Sequence, residues 1–154
     1  VSRRDQIVMT EDEVRSFLAA ERVATVASIG PNGRPHLVPL WYVPDGATLL
    51  TWTYGTSQKV ANLRRLPQAT VLVEAGESYE ELRGVSFEAD VEIVEDDERI
   101  AAIGAELTAR YAGNPDIAAS ASQFVRAQVA KRVGLVFSPT RTTSWDHRKL
   151  GGGY

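Results

Sequence analysis

The sequence predicts a mainly β protein with added helices, an α+β chain built as a small antiparallel barrel. Three observations lead there. β-rich runs separated by tight-turn signals fill the first half, two helical segments come late, and about seven short strands show no βαβ alternation.

The elements follow in order. In "TEDEVRSFLAAER", Thr10 stands as an N-cap three residues before Glu13 and ahead of the apolar Val14, Phe17 and Leu18, the signature of a capped first helix. Strands are expected at 23–29, 34–43 and 47–54, divided by Pro31-Asn32-Gly33 and Pro44-Asp45-Gly46. A short helix over 57–66 precedes "ATVLVE" and "RGVSFEADVEIVE", the latter alternating Val85, Phe87, Ala89, Val91 and Ile93 with polar neighbours. "DDERIAAIGAELTARYAG" reads as a helix capped by Asp96 or Asp97 and stopped by Gly113. Another follows across "DIAASASQFVRAQVAKR", whose Ile117, Ala121 and Phe124 give it one face to bury. "RVGLVFSP" and "RTTSWDH" close the chain as two strands around Pro139. The acidic "EAGESYEEL" is a solvated turn.

Composition narrows the function classes. A chain of 154 residues suits one domain over 1–154. The absence of cysteine removes disulfide frameworks, thiolate catalysis and Cys-based metal sites, and it suits a reducing, cytoplasmic setting. No apolar run approaches the roughly 18 residues of a membrane span, and residues 1–10 lack the centre of a signal peptide. Val1 is not an initiator methionine, which leaves room for a start upstream.

The net charge is only −3, but it is segregated. From Gly46 to Val73 there is no acid, while Lys59, Arg64 and Arg65 are present; Glu74 to Glu98 then carries eleven acids against Arg83 alone. After Asp116 the balance turns basic again. Basic stretches on a mildly acidic chain frame a small anion better than they frame nucleic acid, which calls for a basic domain as a whole.

Within "TYGTSQKVANLRRLP", Lys59 sits in the first turn of its helix, where the dipole disfavours a cation. If Thr56 or Ser57 caps that helix, free N–H groups make an anion site, and a phosphate or carboxylate turns the placement favourable. Val60 and Leu63 face the core, and Lys59 and Asn62 share a neighbouring face. Taken alone, the position equally fits an exposed lysine carrying a penalty of a few tenths of a kcal/mol.

In "GRPHLVPLWYV", Pro39 interrupts a good strand, which confines that strand to an edge or a bulge. A flat ligand across it would use free backbone groups, with Trp41 or His36 at its rim; an ordinary edge strand with Trp41 in the core explains the same residues. The closing "TTSWDHRKLGGGY" carries charges and glycines unsuited to a core strand, and it is expected to form a tail that covers a ligand on a neighbouring subunit or frays.

No dinucleotide fingerprint, Walker loop or nucleophile elbow is present, and the two histidines, His36 and His147, lack ligand spacing, so no metal site is expected. A triad from Ser57, His36 and Asp45 has no specificity. The chemistry is that of a borrowed organic cofactor.

Together, the capped first helix, "GRPHLVPLWY", "TSQKVANLRRLP" and "WDHRKLGGGY" make a chain that resembles the pyridoxamine-phosphate-oxidase-like split β-barrel superfamily, over nearly its full length. It is most similar to the actinobacterial branch that uses the deazaflavin coenzyme F420. The most specific segments are Gly33, Pro35, His36, Pro39, Trp41 and Lys59, Asn62, Leu63, Arg65, Pro67. Many relatives carry an acid where Leu66 stands here, a departure at the helix end and not at the phosphate site.

The resemblance implies a homodimer with two cofactor sites at its interface. Carried over, Ser57 and Lys59 bind the cofactor phosphate, with Arg64 or Arg65 reaching the phosphate or the glutamyl tail. Val38, Pro39, Leu40 and Trp41 lie along the deazaflavin ring, and Trp145 approaches from the partner subunit. His36, Thr53, Gln58 and Asn62 complete the implied cofactor-contacting set. "LLTWTYGTS" lacks the arginine-rich phosphate motif of FMN-using relatives, which favours F420 over FMN. The implied reaction is hydride transfer to a conjugated, electron-poor small molecule, with His36, Tyr42, Tyr54 or water as proton donor. An FMN-dependent enzyme and a non-catalytic flavin-, deazaflavin- or haem-binding protein are the alternatives.

Overall fold

A computed structural model describes residues 2–151, apart from the side chains of residues 118 and 119. Helices α1 (Arg3–Ile7) and α2 (Glu11–Ala20) precede β1 (Ala24–Ile29), β2 (Pro35–Leu40), β3 (Val43–Asp45) and β4 (Thr48–Tyr54). Helix α3 (Gln58–Arg65) leads into β5 (Gln68–Ala75) and, through a 3-10 turn at Tyr79–Glu81, β6 (Arg83–Val94). Helices α4 (Asp97–Tyr111) and α5 (Pro115–Val129) then precede β7 (Arg132–Asp146) and a closing 3-10 turn at His147–Leu150.

All seven strands pair antiparallel in one half-barrel sheet, in the order β2-β1-β5-β6-β7-β4-β3. Its two edge strands, β2 and β3, are separated in the chain only by Trp41 and Tyr42. So short a link draws the two edges of the sheet together, and the curl it imposes makes the barrel. The expected single strand over 34–43 is thus two, because its halves serve opposite edges. Pro39 does lie in an edge strand, opposite Thr25 of β1.

The barrel interior is filled by Val26, Leu49, Val71, Val85, Phe87, Leu135 and Phe137, and α2 closes it with Val14, Phe17 and Leu18. The capping box at Thr10 forms as expected: its hydroxyl accepts from Glu13 N at 3.2 Å, and its own N–H donates to Glu13 at 2.7 Å. Val60 and Leu63 bury the inner face of α3. A second, smaller core of Val43, Ile103 and Leu107 lies beneath α4.

Three expectations are corrected. The two strands expected around Pro139 are one strand, β7, because a register shift opposite Glu88 and Ala89 absorbs the proline's missing donor. Among the described side chains of α5, Ala121 and Val125 are buried, while Ile117 and Phe124, expected to share the buried face, stand exposed along its edge. The segment expected to be a tail is docked on its own chain. Asp146 is buried and held by Arg148 at 2.6 Å, Lys149 Nζ donates to Val8 O at 2.8 Å and Glu13 at 2.5 Å, and His147 Nδ1 bonds Tyr79 O at 2.8 Å. Tyr154 lies outside the described residues. No described helix is long and apolar enough to cross a membrane.

Candidate functional site

The break between β2 and β3 leaves backbone groups without a ladder, and α4 supplies their partners. Tyr42 N–H donates to the Tyr111 hydroxyl at 3.0 Å, and that hydroxyl lies 2.7 Å from Arg22 O and 2.9 Å from Tyr42 O. Arg110 donates to the Tyr42 carbonyl and to Glu21 O at 2.6 Å, while Thr51 Oγ1 donates to Trp41 O at 2.7 Å. The turn is therefore fixed, and it swings Trp41 outward. The indole is 60% exposed and stacks on Tyr111, with ring centroids 4.6 Å apart and planes 8° from parallel.

At the start of α3, Ser57 occupies the N-cap position but makes no capping bond. Its Oγ is buried and has no hydrogen-bond partner. Two residues on, Lys59 Nζ donates to Thr53 Oγ1, at 2.9 Å. Burial first, and the Arg132 guanidinium second, hold the Lys59 ammonium below the usual lysine range. Behind them Asn62 is fully enclosed, donating to Ser28 Oγ at 3.1 Å and accepting from Gln58 at 2.8 Å.

A cavity of about 580 Å³ opens between the strands and the α4–α5 pair. Pro39, Leu40 and Trp41 form one side, Trp52 and Thr51 the floor, and Leu107, Tyr111, Ile117 and Phe124 the helical wall. Trp52 lies so close to α4 that a Cβ at Gly104 would collide with its ring. Arg132, the first residue of β7 and the partner of Tyr54 across the ladder, lines the cavity. Its guanidinium sits 3.8 Å over the Tyr54 ring and 5.0 Å from that of Trp52. One arginine thus borders both the aromatic cavity and the Lys59 site.

The half-barrel, with its helical insertion between β6 and β7, matches a model of pyridoxamine 5'-phosphate oxidase over residues 10–146. The chain belongs to the pyridoxamine 5'-phosphate oxidase family. Among solved structures, it is similar to the conserved hypothetical protein Rv2991 from Mycobacterium tuberculosis, at 41% identity and TM-score 0.89, covering 100% of this chain and 95% of that one. It also resembles an F420 reductase, at 26% identity and TM-score 0.66, covering 84% and 94% of the two chains. The haem storage protein HutZ from Vibrio cholerae shares the fold, at 18% identity and TM-score 0.66 over 88% and 93%. No curated protein matches the chain.

The residues singled out on and beside α3 fall into three groups. Thr53 and Lys59 meet in a hydrogen bond, and Ser57 stands at the N-cap of the same helix. Gln58 is exposed and serves Asn62, which has no surface of its own to offer a ligand. Arg64 and Arg65 stand at the other end of α3, where Arg64 pairs with Glu95 at 2.7 Å and Arg65 donates to the Ile29 carbonyl.

Along β2 the side chains alternate: His36, Val38 and Leu40 are half-buried on one face, and Pro39 is exposed on the other. His36 sits opposite Ser28 in the ladder, and its buried Nδ1 has no partner. Trp145 is not brought to Lys59 within this chain. It lies across Gly84 near the far end of β7, on the order of 40 Å along the strand from Arg132.

The sequence reading missed Arg132, Trp52, Tyr111 and Phe124. The only signal for Arg132 was its place in the basic C-terminal run. The aromatics read as core because their helical and strand periodicities are those of core residues.

Proposed function

We propose that the protein is an F420-dependent reductase that delivers hydride to a conjugated, electron-poor small molecule. The observation that carries the reading is at the start of α3: the Arg132 guanidinium raises the cost of the Lys59 ammonium, neither cation has an ion pair among the described residues, and the N-cap Ser57 hydroxyl is buried without a partner. A buried unpaired hydroxyl and a desolvated ammonium both cost free energy, and an anion relieves both. These residues fit the phosphate of a cofactor. The similarity to an F420 reductase supports the deazaflavin over other cofactors.

In this reading Ser57 and Lys59 hold the phosphate, Thr53 orients the lysine, and Gln58 and Asn62 brace the helix behind them. Val38, Pro39, Leu40 and Trp41 lie along the ring. Arg64 and Arg65, at the outer end of α3, are placed for a glutamyl tail. When bound in reduced form, the deazaflavin supplies a hydride, and a proton from elsewhere completes the reduction. Tyr42 is not that donor: it is buried, its hydroxyl donates to Leu18 O at 2.7 Å, and burial pushes its pKa up to about 12. His36, Tyr54 and water remain.

The protein acts as a homodimer with sites at the interface. The exposed Leu37 on edge strand β2 and the exposed Trp41 just after it support this, as does the remoteness of Trp145 from Lys59 within one chain. Sedimentation equilibrium is expected to give twice the 16.8 kDa of the chain; a stable monomer at micromolar concentration would remove the second wall of the site.

The test is a titration with F420 and, in parallel, FMN, followed by tryptophan fluorescence and repeated with Lys59→Ala. Quenching by F420 that the variant loses is the expected result. A response to FMN alone would transfer the reading to a flavin enzyme, and binding without oxidation of reduced F420 by any acceptor would make the protein a carrier.

A further inference from the structure

The guanidinium of Arg132 is built into the aromatic cavity with its hydrogen-bonding capacity nearly unused. Its Nε is buried and has no partner, and Nη2 meets only Gln128 Oε1, at 3.4 Å. Among the described residues no carboxylate pairs with it. Cation–π contacts with both Tyr54 and Trp52 restrain the guanidinium, so less side-chain freedom remains to be lost when a ligand arrives.

The rest of the cavity is mostly apolar, with Thr51 and Thr108 as its other polar residues. The parallel Trp41 and Tyr111 rings stack where the strand side meets the helical wall, and Ile117 and Phe124, 53% and 54% exposed, stand along α5 on the helical side. Its volume of about 580 Å³ is that of a small-molecule pocket. One cation at a mostly apolar cavity matches a ligand with a single negative charge, and the planar fork of a guanidinium matches the two oxygens of a carboxylate. A phosphate dianion would need more donors than the lining offers.

We propose that this cavity receives a planar aromatic or conjugated monocarboxylate, with Arg132 gripping the carboxylate and the aromatic residues covering its faces. The inference deepens the F420 reading by identifying that molecule as the hydride acceptor, and it rests on that reading only for this last step. The depressed pKa of Lys59 agrees with two neighbouring cationic positions here, one for the cofactor phosphate and one for the acceptor.

The experiment is isothermal titration calorimetry with 2-naphthoate and its uncharged methyl ester, on the full chain with and without saturating F420. Naphthoate is expected to bind at least about tenfold more tightly than the ester, a modest return for a charge-assisted contact, and to bind also when F420 is present. Arg132→Gln is expected to abolish the preference while leaving ester binding unchanged; should that variant fail to fold, the wild-type comparison still decides. Equal affinity for acid and ester, a preference that survives in Arg132→Gln, or displacement of naphthoate by F420 would each overturn the proposal. A carboxylate preference in a protein that does not bind F420 would support the pocket and remove the cofactor reading instead.

Discussion

The ammonium of Lys59 donates to the hydroxyl of Thr53 at 2.9 Å, and the charged group that acts on it is another cation, Arg132. The dipole of α3 also opposes a cation in its first turn. Burial, the neighbouring guanidinium and the dipole therefore all disfavour the charge, and the placement becomes favourable when an anion is bound.

That arrangement fixes a pH dependence. An anion prefers the protonated lysine, so affinity is highest below the pKa of Lys59 in the free protein and falls as pH rises through it. Because that pKa is depressed, the fall comes at lower pH than an ordinary lysine would give. Binding measured by calorimetry in buffers of different ionisation enthalpy is expected to show proton uptake in this window. Lys59→Arg should flatten the profile, and Lys59→Ala should cost about 1.5–3 kcal/mol of F420 binding.

Ser57 is an N-cap that does not cap. Replacing a capping serine by alanine ordinarily costs about 1 kcal/mol, but here the hydroxyl makes no capping bond. Ser57→Ala is therefore expected to leave the melting temperature unchanged or slightly raised while weakening F420 binding. Thr10→Ala, which breaks a formed capping box, should lower stability by about 1 kcal/mol. Thermal melts of the two variants side by side make the comparison.

Tyr42 supplies stability that alkali removes. Its folded pKa is raised by burial to about 12 against 10.0 for the free phenol, so the folded state keeps a proton that the unfolded chain gives up. The contribution is fully present below pH 10 and is lost as pH rises toward 12. Tyr42→Phe is expected to cost about 1–3 kcal/mol, since the carbonyls of Leu18 and Glu21 lose its hydroxyl. Urea unfolding at neutral pH and near pH 11 would show the variant insensitive to this step.

Asp146 sets the corresponding acid limit for the docked C-terminal segment. The Arg148 guanidinium holds its carboxyl below the usual carboxylate range, so its contribution is present above pH 3.8 and is lost as pH falls through the lower folded value. Asp146→Asn is expected to cost about 1–2 kcal/mol, with the outer partner half in solvent. Amide exchange at the 147–150 turn should speed up in the variant while the β5–β6 core stays protected.

The sequence by itself determined the local structure. The Thr10–Glu13 box, the Pro-Asn-Gly turn and the strand alternation of β6 depend on neighbours a few residues away, and the fold class followed from their order. It also marked Lys59, because a cation in a first helical turn is a local conflict. Only the tertiary structure decided that Trp41 and Tyr42 separate two edge strands, that Pro139 lies within one continuous strand, and that Trp145 to Lys149 are pinned to their own chain. It alone brought Arg132 against Trp52 and Lys59, residues far apart in the sequence, because barrel closure and the β4–β7 register place them side by side. An amphipathic pattern states that one helical face is apolar; whether Ile117 and Phe124 meet a core or a cavity is set by the packing of α5 on α4, which no local pattern encodes.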